Sequence, residues 1–299
     1  MKKILWIFLS QLMVFSISAQ DYNKAQDSLI KKFLRFVPDS MALESVENSS
    51  YKDKEVEKSW ILITKDVGAE DYEEADDDND IGFWNAGNQY CRDLGARGLI
   101  VLFKYKSGEY YKVVEKYNCL DSGEEDGGVY FAPELHVYLD EDGVLSIGYG
   151  HGRYGGWGCS FKYINGEFKY IGSSSSESMS WIAEDISSSS VDYYKGIAED
   201  YHIINVNENF NENGDYNDDF NPRYIYHTYE IFPTYLPSIN EVEIDMGKVT
   251  DLEKVTDITI SLLKIEVDDY KIVNGEKEWY SREITDDEAE EIEENKDTW

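Results

Sequence analysis

Residues 148–172 read "GYGHGRYGGWGCSFKYINGEFKYIG", and the reading of this stretch decides the fold. Gly150, Gly152 and Gly155 satisfy the spacing G-x-G-x-x-G. In a dinucleotide-binding domain that spacing joins a strand to a helix whose N-terminus holds a pyrophosphate. No helix signal follows here. Instead "CSFKY" and "EFKYI" alternate apolar and polar residues on either side of Asn165-Gly166. Asn-Gly tolerates the positive φ that both centre positions of a tight hairpin turn need. The stretch is therefore read as antiparallel strands, with glycines that release the chain between strands or form bulges where large neighbours crowd. On this reading the chain takes no nucleotide cofactor.

The same pattern continues outward. "RGLIVLFKY" (97–105) and "EYYKVVEKY" (109–117) flank a hairpin loop at Lys106-Ser107-Gly108. "ELHVYLD" (134–140) places Leu135, Val137 and Leu139 on one face, with His136 and Tyr138 on the other. Asp142-Gly143 then turns the chain into "VLSIGYG". "SWILITKD" (59–66) is a short apolar strand, and Asn274-Gly275 marks a further hairpin near the C-terminus. Short strands, glycine turns and no long helix between them predict a mainly β fold. It is an antiparallel meander closing as an incomplete propeller, a sandwich or a barrel. The 24 tyrosines suit pleated, half-buried surfaces.

One amphipathic helix precedes the strands: Leu29, Ile30, Phe33, Leu34 and Val37 recur at helical spacing, and Pro38 ends it. The serine runs at 172–180 and 187–190 read as loops or a mobile hairpin. The polar stretch 205–224 and the acidic run 70–80 read as loops.

Residues 1–19 read as a signal peptide: Lys2 and Lys3, a mostly apolar run from Ile4 to Ile17, then Ser18 and Ala19. Residues 20–282 form a β-rich domain with a sub-boundary near 190, and 283–299 form an acidic tail. No other stretch approaches the roughly 20 apolar residues of a membrane-spanning helix. The mature chain is thus expected in the periplasm or outside the cell, without membrane insertion. A formal net charge of −33 repels phosphate backbones and anionic headgroups, which excludes nucleic acid and membrane surfaces as partners. It attracts cations or a basic protein. For an exported chain, Cys91, Cys119 and Cys159 imply one structural disulfide and one buried thiol, with all three pairings open.

Around the glycines, His151, Arg153, Tyr154 and Trp157 combine flat aromatic faces with a cation and an imidazole. Such a set stacks on a sugar ring or a peptide and fixes its orientation. These four, with Trp84, are the expected ligand-binding residues. Asn209, Asn211, Asn213 and Asp215 imitate the first positions of a calcium loop around Gly214, although its twelfth position is Phe220 rather than glutamate. Calcium is thereby the one ion the sequence points to. No H-E-x-x-H, G-x-S-x-G or Walker motif occurs, so no catalytic residues are assigned. Paired carboxylates of the glycosidase kind are uninformative among 61 acids.

"RGLIVLFKY", "YNCLDSGEEDGGVYF", "GVLSIGYGHGRYGGWG" and "FKYINGEFKYIG" together resemble exported bacterial proteins related to FG-GAP or VCBS-type β-propeller modules. The resemblance runs from Arg97 to Ser176, about a third of the chain, and rests on turns and aromatics. It implies a β fold and export, and no catalytic residues. The family's aspartate-rich calcium loop has as its counterpart "NSSYKDKEVEKSWILI" (48–63), which lacks the glycine and most of the aspartates. That calcium site is not carried over.

The leading expectation is an exported, non-catalytic β-rich protein that binds a glycan, a peptide or an envelope protein through aromatic loops. The alternatives are an exported glycosidase using two carboxylates and an acidic inhibitor of a basic protein.

Overall fold

Asn165 and Gly166 both take positive φ, 52° and 95°, and the hairpin they close lies at the heart of the molecule. In a computed structural model of the protein, the described residues are 28–66, 72–73, 92–93, 96–120, 133–151, 154–178, 185–205, 220–245, 247–250, 255, 258–273 and 276–295. The fold is mainly β, all its strand pairings are antiparallel, and it is not a closed barrel.

A first sheet contains β1 (Met41–Asn48) and β2 (Val56–Asp66). The two-residue strands β3 (Tyr72–Glu73) and β4 (Arg92–Asp93) pair only with each other. β5 (Arg97–Tyr105) and β6 (Tyr110–Leu120) complete the sheet in the order β1-β2-β5-β6. Its central strands read as unbroken apolar runs because both faces are covered. One face carries Trp60, Leu62, Ile100 and Leu102 and packs under the helical segment α1 (28–36). Phe33 of α1 is wholly buried, its ring 5.1 Å from that of Trp60. Leu34, expected on the same apolar stripe, is instead 48% exposed. The last turn tightens to a 3-10 helix over Leu34–Phe36, which moves that side chain off the packed face.

The second sheet is a nine-stranded meander. Its strands are β7 (Glu134–Leu139), β8 (Val144–Gly150), β9 (Gly155–Ile164), β10 (Glu167–Ser178), β11 (Asp185–Asp192), β12 (Ile197–Ile203) and β13 (Tyr224–Phe232). A short hairpin, β14 (Ile244–Asp245) and β15 (Lys248–Val249), comes before the last two, β16 (Thr259–Val273) and β17 (Glu276–Ile284). The serine runs, expected as loops or a mobile hairpin, are strand residues over 172–178 in β10 and 187–190 in β11; 179–180 lie outside the described residues. Residue 190 lies inside β11, bonded to β10 on one side and β12 on the other.

The main core lies between the two sheets. Ile61, Ile63, Leu99, Val101 and Phe103 of the first meet Val137, Leu145, Ile147, Phe161 and Phe168 of the second. Each fully buried side chain of this size contributes about 1.5–3 kcal/mol of transfer free energy. Phe103 is a hub, with ring centroids of Tyr51 and Tyr163 at 5.2 and 5.1 Å. Cys119 and Cys159 are buried in this core and are not joined to each other; Cys91 lies outside the described residues.

From β11 onward the second sheet runs past the first. There α2 (Asp286–Asn295) covers part of it, setting Ala289 and Ile292 against Ile225, Ile265, Val267 and Ile284. A capping box starts this helix. The Glu288 N–H donates to Thr285 Oγ1 at 3.3 Å, and the Thr285 N–H donates to Glu288 Oε2 at 3.2 Å. Among the described residues no helix is long and apolar enough to cross a membrane.

Candidate functional site

Strand side chains alternate between faces, so the pairing registers sort the second sheet into two sides. The inner side of β7–β10 faces the core. On the outer side, β8 presents Ser146, Gly148 and Gly150, and β9 presents Gly156, Gly158 and Ser160. β10 continues with Gly172, Ser174 and Ser176, and β11 with Ser188 and Ser190. Two successive rows thus offer only glycine and serine across four adjacent strands, and a third does so on β8–β10 before reaching Asp192 on β11. Large residues stand at both margins: His136 and Tyr138 on β7, and Glu199 and Tyr201 on β12. The result is a trough floored by backbone and hydroxyls.

The glycines shape this floor as well as lining it. A Cβ on Gly158 would stand 2.6 Å from the Ile147 carbonyl oxygen and 2.9 Å from Gly148 Cα. One on Gly156 would stand 2.8 Å from the Tyr149 oxygen. Neighbouring strands crowd together on this side, as they do when a sheet curls toward it, and only glycine fits. Two cavities, of about 590 and 370 Å³, lie along the trough. From Gly156 to Lys162 the floor runs about 20 Å at ~3.3 Å per residue.

The larger cavity is bounded by Tyr138, 57% exposed, and Tyr194, 55% exposed. Lys162 donates to the Asp142 carbonyl at 3.0 Å, and its ammonium lies 5.2 Å from the centre of the Tyr194 ring. Lys195 pairs with Asp192 at 2.9 Å, and that hydrogen bond holds its ammonium above the ordinary lysine value. Asp140 accepts from the N–H groups of Asp142 and Val144 at 2.9 and 2.8 Å, closing the β7–β8 turn. Two of the cavity's acids therefore serve the fold. Beneath the floor, burial first and Cys119 second push the Cys159 thiol up to about 12, which keeps it protonated and unreactive.

The expected site residues are divided between other places. Trp157 stands in β9 rather than in a loop, half-buried and on the inner side. It stacks on Tyr149 at 6.1 Å, meets the His151 ring edge-on at 5.6 Å, and lies 4.8 Å from the Lys248 ammonium. His151 and Tyr154 form the β8–β9 turn. The His151 N–H donates to the Gly155 oxygen at 2.8 Å, and the Tyr154 N–H to the His151 oxygen at 3.3 Å. The structure thus brings His151 and Trp157 together, but on the side away from the trough. Arg153, Trp84 and the calcium-loop residues Asn209, Asn211, Asn213 and Asp215 lie outside the described residues.

On the inner side, Ser175, Ser189, Asp200 and His227 form one row across β10–β13. His227 Nδ1 and Asp200 Oδ1 are 3.0 Å apart, and the two serine hydroxyls 2.9 Å. In a nucleophilic triad the imidazole must sit between serine and acid to take the serine proton. Here the acid occupies the middle position, and the row is not a triad. Among the described residues no three histidine, cysteine, aspartate or glutamate side chains gather as metal ligands would.

The trough carried a sequence signal that glycine punctuation hid. "GYG" (148–150) and "GWG" (156–158) each place two glycines on one face and an aromatic on the other. They align as Gly148↔Gly158, Tyr149↔Trp157 and Gly150↔Gly156. No protein-family model, curated protein or solved structure matches the chain.

Proposed function

We propose that this chain is an exported, non-catalytic binding protein that holds a glycan chain along the trough of its nine-stranded sheet. The observation that carries the reading is the glycine–serine floor between aromatic margins, left open by the described residues. An antiparallel sheet with one face on the core commonly leaves the other solvated and polar. Here, among the described residues, that face is glycine and serine over two rows of four strands. Serine hydroxyls and strand backbone supply donors and acceptors for sugar hydroxyls, and Tyr138 and Tyr194 supply flat faces for sugar rings. The N-terminal apolar segment and the resemblance to exported proteins support export. The occupied acids of the larger cavity support binding without chemistry.

The test is a binding panel of six-sugar oligomers: β-glucan, N-acetylglucosamine, glucosamine and galacturonate. Ser174→Trp stands a large ring on the exposed middle of the floor and is expected to block every oligomer that binds, with the circular-dichroism spectrum unchanged. Absence of binding across the panel, or binding that Ser174→Trp leaves intact, sinks the proposal.

A second reading, an interaction protein for a basic partner, draws on a different feature. Thr259–Lys264 of β16 runs beyond the last residue of β17 and exposes Ile260, Leu262 and Leu263 by 61, 41 and 54%. An open strand edge on so acidic a chain suits an extended basic segment. Its mark is association that falls steeply with salt.

A further inference from the structure

The charges around the trough select among glycans, and this inference rests on the glycan-binding reading above. Four carboxylates, Asp140, Asp142, Asp192 and Glu199, border the larger cavity, against two ammonium groups, Lys162 and Lys195. Lys195 and Asp192 pair with each other, which leaves Asp140, Asp142 and Glu199 against Lys162, whose ammonium donates to the Asp142 carbonyl beside the Tyr194 ring. Glu134, on the β7 margin at the other end, adds a further acid. The chain's formal charge of −33 lays a negative field over the whole surface. A cleft with an excess of acidic groups adds to that field. A polyanionic glycan entering here meets repulsion, and a neutral one gains nothing from the field.

We infer that the trough takes a glycan bearing free amino groups, an incompletely N-acetylated hexosamine chain, with ammonium groups near Glu199 and Asp142 and sugar rings on Tyr138 and Tyr194. The spacing of the parts fits this division of labour. The tyrosines flank the cavity that the acids border, so one sugar can stack while its amino group, or that of its neighbour, meets a carboxylate. Aromatic contact is indifferent to the amino group's charge, and the carboxylates supply the discrimination.

The experiment compares glucosamine, N-acetylglucosamine, β-glucan and galacturonate oligomers by isothermal titration calorimetry, at low salt and at about 0.5 M sodium chloride. The glucosamine oligomer is expected to bind about tenfold more tightly than the neutral ones at low salt, with the gap narrowing as salt screens it. Glu199→Gln and Asp142→Asn are each expected to weaken glucosamine binding about two- to fivefold and to leave neutral binding unchanged, as for a partly exposed ion pair. Neutral or anionic oligomers that bind as tightly as glucosamine overturn this inference while the glycan-binding reading stands. A glucosamine preference that survives unchanged in both carboxylate variants overturns it too, since the attraction is then general. Absence of binding by any oligomer defeats the glycan-binding reading itself.

Discussion

Tyr138→Ala tests whether the margin of the trough contacts a ligand. Tyr138 is 57% exposed on β7, directly across from Ser146, so its ring stands beside the floor without supporting the core. A tyrosine offers about 150–250 Å² of burial, so about 100 Å² of this residue is still open. A sugar ring stacked on one face covers roughly half of that. At ~25 cal/mol per Å² the contact is worth about 1.25 kcal/mol, or about eightfold in Kd. The assay is calorimetric titration of parent and variant with whichever oligomer binds. Urea unfolding runs alongside and is expected to shift by less than about 0.5 kcal/mol, as for surface substitutions in general. Tyr111→Ala is the control, since Tyr111 is 50% exposed but sits on β6 of the other sheet. A Kd within twofold of the parent, or an equal loss in the Tyr111 variant, refutes the reasoning.

Three further outcomes follow from the packing and the charges. Phe103→Ala empties the hub between the sheets, where the ring is wholly buried, and is expected to cost about 3–5 kcal/mol in urea unfolding; a cost near 1 kcal/mol would mean the sheets do not meet there. Gly158→Ala should destabilise by about 1–3 kcal/mol, although glycine-to-alanine changes commonly stabilise, because the new Cβ meets the Ile147 oxygen at 2.6 Å; a neutral result denies the crowding of strands on the trough side. Acid should destabilise the fold through Asp53 and Asp269. Burial raises the Asp53 value, but the N–H groups of Val56 and Glu55 and the Tyr51 hydroxyl outweigh it, and the Tyr270 N–H and Arg282 lower Asp269 against its own burial. Both carboxylates titrate lower folded than unfolded, so their contribution is complete above about pH 5 and disappears as pH falls through the folded values. The mutual repulsion of a chain at −33 opposes this trend, since protonation relieves it. The urea midpoint is therefore followed in about 1 M salt, where charges are screened within about 3 Å. A midpoint that is flat or rising below pH 4 contradicts the assignment, and Asp53→Asn should make the fall shallower.

The strands were legible wherever one face was apolar and the turn chemistry explicit. β5 and β8 match their expected bounds, and β7 stops one residue short of its own, because Gly143 and Gly108 take φ of +76° and +93° where the sequence put the turns. Both faces of β2 and β5 are covered, so their apolar runs were read as strands without showing which residue faces which layer. The trough was not legible for a related reason. Serine and glycine have poor strand propensity, and a run such as "SSSS" offers no alternation to read. Yet the backbone of β10 is already committed to a strand by the Asn165-Gly166 turn and by Phe168 and Tyr170 in the core. Extending it through Ser173–Ser178 only prolongs a ladder that has formed, and β11 then pairs with it residue for residue up to the shift at Glu177. Tertiary context thus overrides local propensity at the place where the sheet outruns its core. The outward positions of β8–β11 bury nothing in the main core, so they are free of the demand for bulk and can admit a ligand. Along the chain the glycines of 148–158 read as punctuation and the serine runs at 172–180 and 187–190 as loops or a mobile hairpin; the small residues form a surface only when read across the registers.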